Sequence, residues 1–164
     1  MTNTEENFKD GEENPIKQRL RESAAQIRKI LLPNKPILTQ PFLRVRNNVA
    51  VAEVHIGHVS FYLEATSHYK SPIPIPEAKS NGGQFEPKVD PYAQRIMFHC
   101  YEYKLFSEIA KILEMDYNLQ TEGYLYLYTE RYPCISCQDV KIQFEEKFPN
   151  IKVELFWDYP YPPN

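Results

Sequence analysis

The sequence predicts an α/β domain whose sheet combines an antiparallel hairpin with a parallel pair of strands. Two observations carry that prediction. Residues 49–66 read as two β-rich runs around a tight turn, and residues 123–157 read as strand, helix and strand in succession. A strand–helix–strand run of this length closes as a right-handed crossover between parallel strands.

The elements follow in chain order. "MTNTEENFKDGEEN", residues 1–14, is polar, acidic and without periodicity, and is expected to be a disordered lead. Pro15 suits a first helical turn. Leu20, Ala24, Ile27 and Leu31 then recur at helical spacing until Pro33. The hairpin turns at Ile56-Gly57, and Val59, Phe61, Leu63 and Ala65 alternate onto one face. Residues 66–92 hold five prolines and the Gly82-Gly83 pair. A connection that long is expected to be either functional or mobile. A second helix spans "HCYEYKLFSEIAKILEM", with Leu105, Phe106, Ile109 and Leu113 as its apolar stripe. "GYLYLYT" is rich in strand formers. Residues 134–148 form a third helix, with Val140, Phe144 and Phe148 on one side. Ile151, Val153, Leu155 and Trp157 alternate along a last strand. The tail "DYPYPPN" is expected to leave the sheet, because its prolines lack the donor. The folded domain is therefore placed at 15–158, with 159–164 as a Pro/Tyr tail.

With 164 residues the chain has room for one domain and a core. No apolar run approaches the ~20 residues that cross a bilayer, and no signal segment opens the chain. No membrane partner is expected. Three cysteines are too few for a disulfide framework and point to a reducing compartment or to metal. The net charge of −3 is unevenly spread. Residues 15–48 carry Lys17, Arg19, Arg21, Arg28, Lys29, Lys35, Arg44 and Arg46 against Glu22 alone. Such a block is either a polyanion-facing surface or a solvated helix face.

Two of the cysteines lie in "YPCISCQDV". Cys134 and Cys137 stand at i and i+3, on one face of a helix start, just past the end of a parallel strand. Helix N–H groups and the helix dipole favour thiolate there, and two thiolates at this spacing suit zinc. C-x-x-C alone also fits a redox pair, half of a structural zinc site, or chance. His55 and His58 are the candidates that would complete a structural site, although such histidines are mostly just exposed. The third cysteine is in "FHCYEYKLF", two residues before Glu102. Glu102 falls on the inward stripe of its helix, where a carboxylate is costly unless something binds it. Cys100 and Glu102 converge only if Cys100 sits at or just before the helix start. Three thiolates would then hold zinc, with the fourth position open to water of roughly neutral pKa. Glu102 would carry the proton.

These residues resemble the zinc-dependent cytidine deaminase-like superfamily, whose signature is H-x-E or C-x-E followed by P-C-x-x-C. Here it reads Cys100-Tyr101-Glu102 and Pro133-Cys134-Ile135-Ser136-Cys137. Within that superfamily, "YEYKLFSEIA" and "LYTERYPCISCQDVKIQFEEKFPNIKV" are similar to the deaminase domains of bacterial polymorphic toxins. The resemblance covers roughly residues 15–157. It implies a three-layer α-β-α fold around a mixed sheet of about four to five strands. It implies Cys100, Cys134 and Cys137 as zinc ligands, Glu102 as proton shuttle, and hydrolytic deamination as the reaction. The chain ends soon after "IKVELFW", so the fifth strand of many relatives is expected to be absent or short. Ile135 and Gln138-Asp139 stand where enzymes acting on free cytidine have glycine and Arg-Gln.

The target implied is cytosine in nucleic acid, single-stranded DNA first, since a base inside a duplex is out of reach. The basic block, the loop 66–92 and nearby aromatics would grip the strand. His99, Tyr132, Ser136 and Trp157 are the candidate substrate contacts, although Trp157, last in its alternating strand, reads first as core. A monomer is expected, with an immunity protein as partner if the chain acts as a toxin. Its site of action would be cytoplasmic, after secretion or delivery as part of a larger bacterial toxin. The alternatives are an adenine deaminase, a deaminase of free cytidine or its nucleotide, and a zinc-stabilised binding protein without chemistry.

Overall fold

Hydrophobic alternation divides the chain into a sheet with two unlike faces. The computed structural model describes residues 13–31, 48–66, 71–91, 95–96 and 100–160. Most of the acidic lead, His99, Lys35, Arg44, Arg46 and the last four residues lie outside the described residues.

The element order is α1 (Pro15–Leu31), β1 (Val49–Ile56), β2 (Val59–Thr66), a single 3-10 turn (Lys79–Asn81), β3 (Val89–Asp90), β4 (Arg95–Ile96), α2 (Tyr101–Asp116), β5 (Gly123–Arg131), α3 (Ile135–Lys147) and β6 (Ile151–Tyr159). The main sheet runs β2-β1-β5-β6, antiparallel except for the parallel β5–β6 pair. This is the mixed α/β sheet expected, at four strands. Gly57 supports the hairpin turn with a φ of 58°, a conformation that costs glycine little.

Asn14 caps α1, its Oδ1 accepting the Ile16 N–H at 2.8 Å, so the ordered chain begins before Pro15. Leu20, Ala24 and Ile27 of α1 pack on Val49, Val51 and Tyr128, one face of the sheet. The other face carries the larger core. Ala50, Ala52, Val54, Leu125 and Leu127 meet Leu105, Phe106, Ile109 and Leu113 of α2 and Val140 and Phe144 of α3. Helices therefore cover both faces, in three layers.

Three expectations change. β6 continues to Tyr159, whose register partner is Arg131, because the first proline of the tail is Pro160. Trp157 is 42% exposed and is not core; it lies near the end of β6, which is an edge strand of the sheet. Four of the five cations of α1 are paired within the molecule: Arg19 with Glu53, Arg21 with Glu13 and Asp158, Lys17 with Asp158, and Arg28 with Glu130, while Lys29 is exposed. Those pairs fasten the helix to the sheet.

Candidate active site

Two helices begin at one point. Cys100 is the N-cap of α2 and Cys134 the N-cap of α3, both in extended conformation. Cys137 lies in the first turn of α3, and its N–H points to Cys134 Sγ at 3.4 Å. The free N–H groups and positive ends of both helices thus converge on three sulfurs. All three cysteines are buried, and their Sγ atoms lie within 4.8 Å of one another. Placing Cys100 just before the helix bends the chain so that it meets Glu102 two residues on, as the spacing requires. Cys100 Sγ and Glu102 Oε2 are 2.7 Å apart.

The donor set fits a metal. The sulfurs of Cys100 and Cys137 touch, but their Cα atoms are 7.2 Å apart. Disulfides usually span ~4.4–6.8 Å between Cα atoms, so this backbone suits sulfurs converging on a shared ion. Glu102 is fully buried, and its Oε1 has no hydrogen-bond partner. A buried carboxylate oxygen in that condition calls for a cation or a water to meet it.

Without a cation, the electrostatics resist charge. Burial pushes the Glu102 carboxyl up to about 8, opposed by its own backbone N–H and by the Tyr101 hydroxyl. Burial, and next the charge of Glu102, push the Cys134 thiol up to about 12; Asp90 adds to this. A divalent cation among these groups reverses both directions, and its binding would release the thiol protons. Among the described residues this is the one group with the donors for a metal. His55 is elsewhere: it pairs with Glu53 at 2.5 Å and meets the Tyr126 ring edge-on. His58 is exposed in the hairpin turn.

The other predicted contacts divide. Tyr132 and Trp157 meet edge-to-face with ring centroids 4.7 Å apart, beside the strand end that leads into Pro133-Cys134. Ser136 is 1% exposed, and its Oγ accepts the Lys88 N–H at 3.0 Å, so its hydroxyl is engaged by the chain itself. Sequence reasoning missed Tyr101, whose buried hydroxyl donates to the Arg131 carbonyl at 3.3 Å and so ties the start of α2 to the end of β5. It also missed Lys104, buried one turn after Cys100, which donates to the Thr66 carbonyl at 2.8 Å and is pushed down to about 8 by burial. Polar residues inside the apolar run "YEYKLF" were the available signal. Glu130 belongs with these: it is buried and accepts from Arg28 and from the Val49 N–H.

Residues 95–158 match the Toxin-deaminase family model, described as the BURPS668_1122 family of deaminases. The matched span contains Cys100, Glu102, Cys134 and Cys137, and it supports a deaminase of the polymorphic-toxin type within the cytidine deaminase-like superfamily. No curated protein matches the chain. Among the described residues, no helix is long and apolar enough to cross a membrane.

Proposed function

We propose that this chain is a zinc-dependent deaminase that converts cytosine to uracil in single-stranded DNA. The observation that carries the reading is the orphaned Oε1 of buried Glu102, beside three clustered cysteines at two helix N-termini. A protein using zinc only for stability has no need of that costly carboxylate.

The three cysteines would hold zinc. When bound, zinc supplies the Lewis acidity that makes water nucleophilic near neutral pH. Glu102 takes the proton of the attacking water and gives it to the ring nitrogen beside the amine-bearing carbon. The water oxygen bonds that carbon; Glu102 then takes the remaining proton of the added hydroxyl and gives it to the amine, the C–N bond breaks, ammonia leaves, and the ring keeps the carbonyl oxygen. Burial keeps Glu102 out of bulk water, so its proton goes to the substrate. Tyr132 and Trp157 offer ring faces and edges for a neighbouring base, and stacking is a usual means of holding single strands. His99 remains a proposed contact, as does Ser136 through its backbone. A toxin of this class acts in a recipient cytoplasm as a monomer and is paired with an immunity protein; both are part of the proposal.

The test is ammonia release by the zinc-loaded chain from single-stranded DNA, its duplex, single-stranded RNA, cytidine and adenosine. Release from single-stranded DNA with appearance of uracil supports the proposal. Release only from adenine-containing or free-nucleoside samples moves the substrate, and none from any sample overturns the enzyme reading.

A further inference from the structure

Segment 73–90, the greater part of the connection 66–92 read from sequence as either functional or mobile, is a wall tied to the site from two sides. Tyr103, next to Glu102 on α2, is fully buried, and its hydroxyl lies 3.1 Å from the Glu77 carbonyl and 3.2 Å from that of Phe85. On α3, Ser136 Oγ accepts the Lys88 N–H at 3.0 Å. Further along α3, Gln143 bonds Glu86 in both directions: Oε1 accepts its N–H at 3.0 Å and Nε2 donates to its carbonyl at 2.9 Å. The Phe85 ring is buried against Phe144. Within the segment, the Gly83 N–H bonds the Ala78 carbonyl at 2.9 Å, and a Cβ on Gly83 would collide with the Glu77 carbonyl. The wall ends at buried Asp90, close enough for its charge to act on Cys134.

Ser136 has a special place among these ties, because it stands between Cys134 and Cys137 in the first turn of α3. Whatever fixes those two sulfurs fixes its Oγ as well. We propose that Ser136 is a positioning residue that registers segment 73–90 against the cysteine site, so that the wall tightens when the cysteines take a metal. The wall's role in holding substrate rests on the deaminase reading; the coupling between metal and wall does not. Such coupling is reciprocal: a metal that orders the wall is bound more tightly by the ordered wall.

The experiment is amide hydrogen exchange on the full chain, zinc-loaded and after chelation. The Lys88 amide and its neighbours should exchange about tenfold more slowly with zinc, within the usual range for coupled sites. Ser136→Ala should still bind about one zinc per chain but lose that zinc-dependent difference. Its KM for single-stranded DNA should rise with kcat little changed, a split that general destabilisation does not produce. Lys88→Pro removes the same bond from the other side without touching α3; read at the neighbouring Glu86 and Val89 amides, since proline has no amide of its own, it should lose the zinc-dependent difference even if Ser136→Ala fails to fold. Lys88→Ala keeps the backbone donor, loses only the exposed ion pair of Lys88 with Asp139, and should keep the zinc-dependent difference. A Lys88 amide indifferent to zinc in the parent overturns the proposal, as does a Ser136→Ala or Lys88→Pro chain that keeps the difference. An inactive parent that still shows zinc-dependent protection supports the coupling and removes the deaminase reading alone.

Discussion

Replacing Glu130 with alanine should unfasten α1 from the sheet while leaving the metal site loaded. Glu130 is 2% exposed and accepts from Arg28 Nε at 2.8 Å and from the buried Val49 N–H at 2.7 Å. Arg28 is itself only 12% exposed at its side chain. Alanine would take the Glu130 carboxylate from a nearly buried guanidinium and leave the fully buried Val49 N–H without its acceptor. Breaking one partner of a buried pair costs about 3–5 kcal/mol. For a domain of this size each kcal/mol moves Tm by ~2–4 °C, so a fall of roughly 6–20 °C is expected. Removing both charges as Arg28→Met/Glu130→Leu leaves only the Val49 N–H without its acceptor and should recover the part of the loss that comes from the ion pair. The assay is thermal unfolding at neutral pH with zinc content measured in parallel. A Glu130→Ala chain within ~2 °C of the parent would refute the reasoning, since that is less than 1 kcal/mol. Loss of zinc from a chain that still folds would equally show that Glu130 serves the site and not the fastening.

Other outcomes follow from the same structure. Cys137→Ser should reduce bound zinc well below one per chain by metal analysis, whereas Glu102→Gln should keep it; equal zinc in both would contradict the three-cysteine site. Asp158 gives a pH signature. Burial would raise its carboxyl, but hydrogen bonds from Arg21, Tyr128 and Lys17 outweigh that and hold it well below the usual range. A depressed folded pKa adds stability that is present above the unfolded value near ~4 and is lost as pH falls below it. Asp158→Asn should therefore flatten the decline of the urea midpoint between about pH 4 and pH 2; an unchanged slope would count against the ion cluster. Trp157→Ala should raise KM for single-stranded DNA by about tenfold with zinc retained, as loss of one stacked base implies, and an unchanged KM would remove Trp157 from the substrate path.

The elements were largely legible because their signals are local. Helical spacing located α1 and α2, β-rich runs around a turn located β1 and β2, alternation located β6, and the turn at Gly57 was marked by its own residue. The geometry of Cys100 was legible too, since a spacing of two can place a cysteine and an inward glutamate together only at a helix start. What escaped depends on distant partners. The cations of α1 read as either a polyanion-facing surface or a solvated helix face because the carboxylates that pair with them lie at residues 53, 130 and 158. The connection 66–92 stayed open between functional and mobile because the bonds that hold 73–90 come from Tyr103, Ser136 and Gln143, which follow it in the chain. Trp157 looked like core because alternation records which face a residue takes, not whether that face is covered there. Ser136 was singled out for its place in the motif, but only the fold reveals that its hydroxyl serves the wall.

The central claim is that Glu102 moves protons at a zinc site acting on cytosine. The most direct measurement is to incubate the zinc-loaded chain, with Glu102→Ala beside it, with a randomised pool of single-stranded DNA and its duplex, and to sequence both. The account predicts C-to-T changes in the single strand, made by the parent and absent or reduced at least ~10²-fold with Glu102→Ala, at equal zinc content. C-to-T changes of equal frequency from both proteins would contradict it.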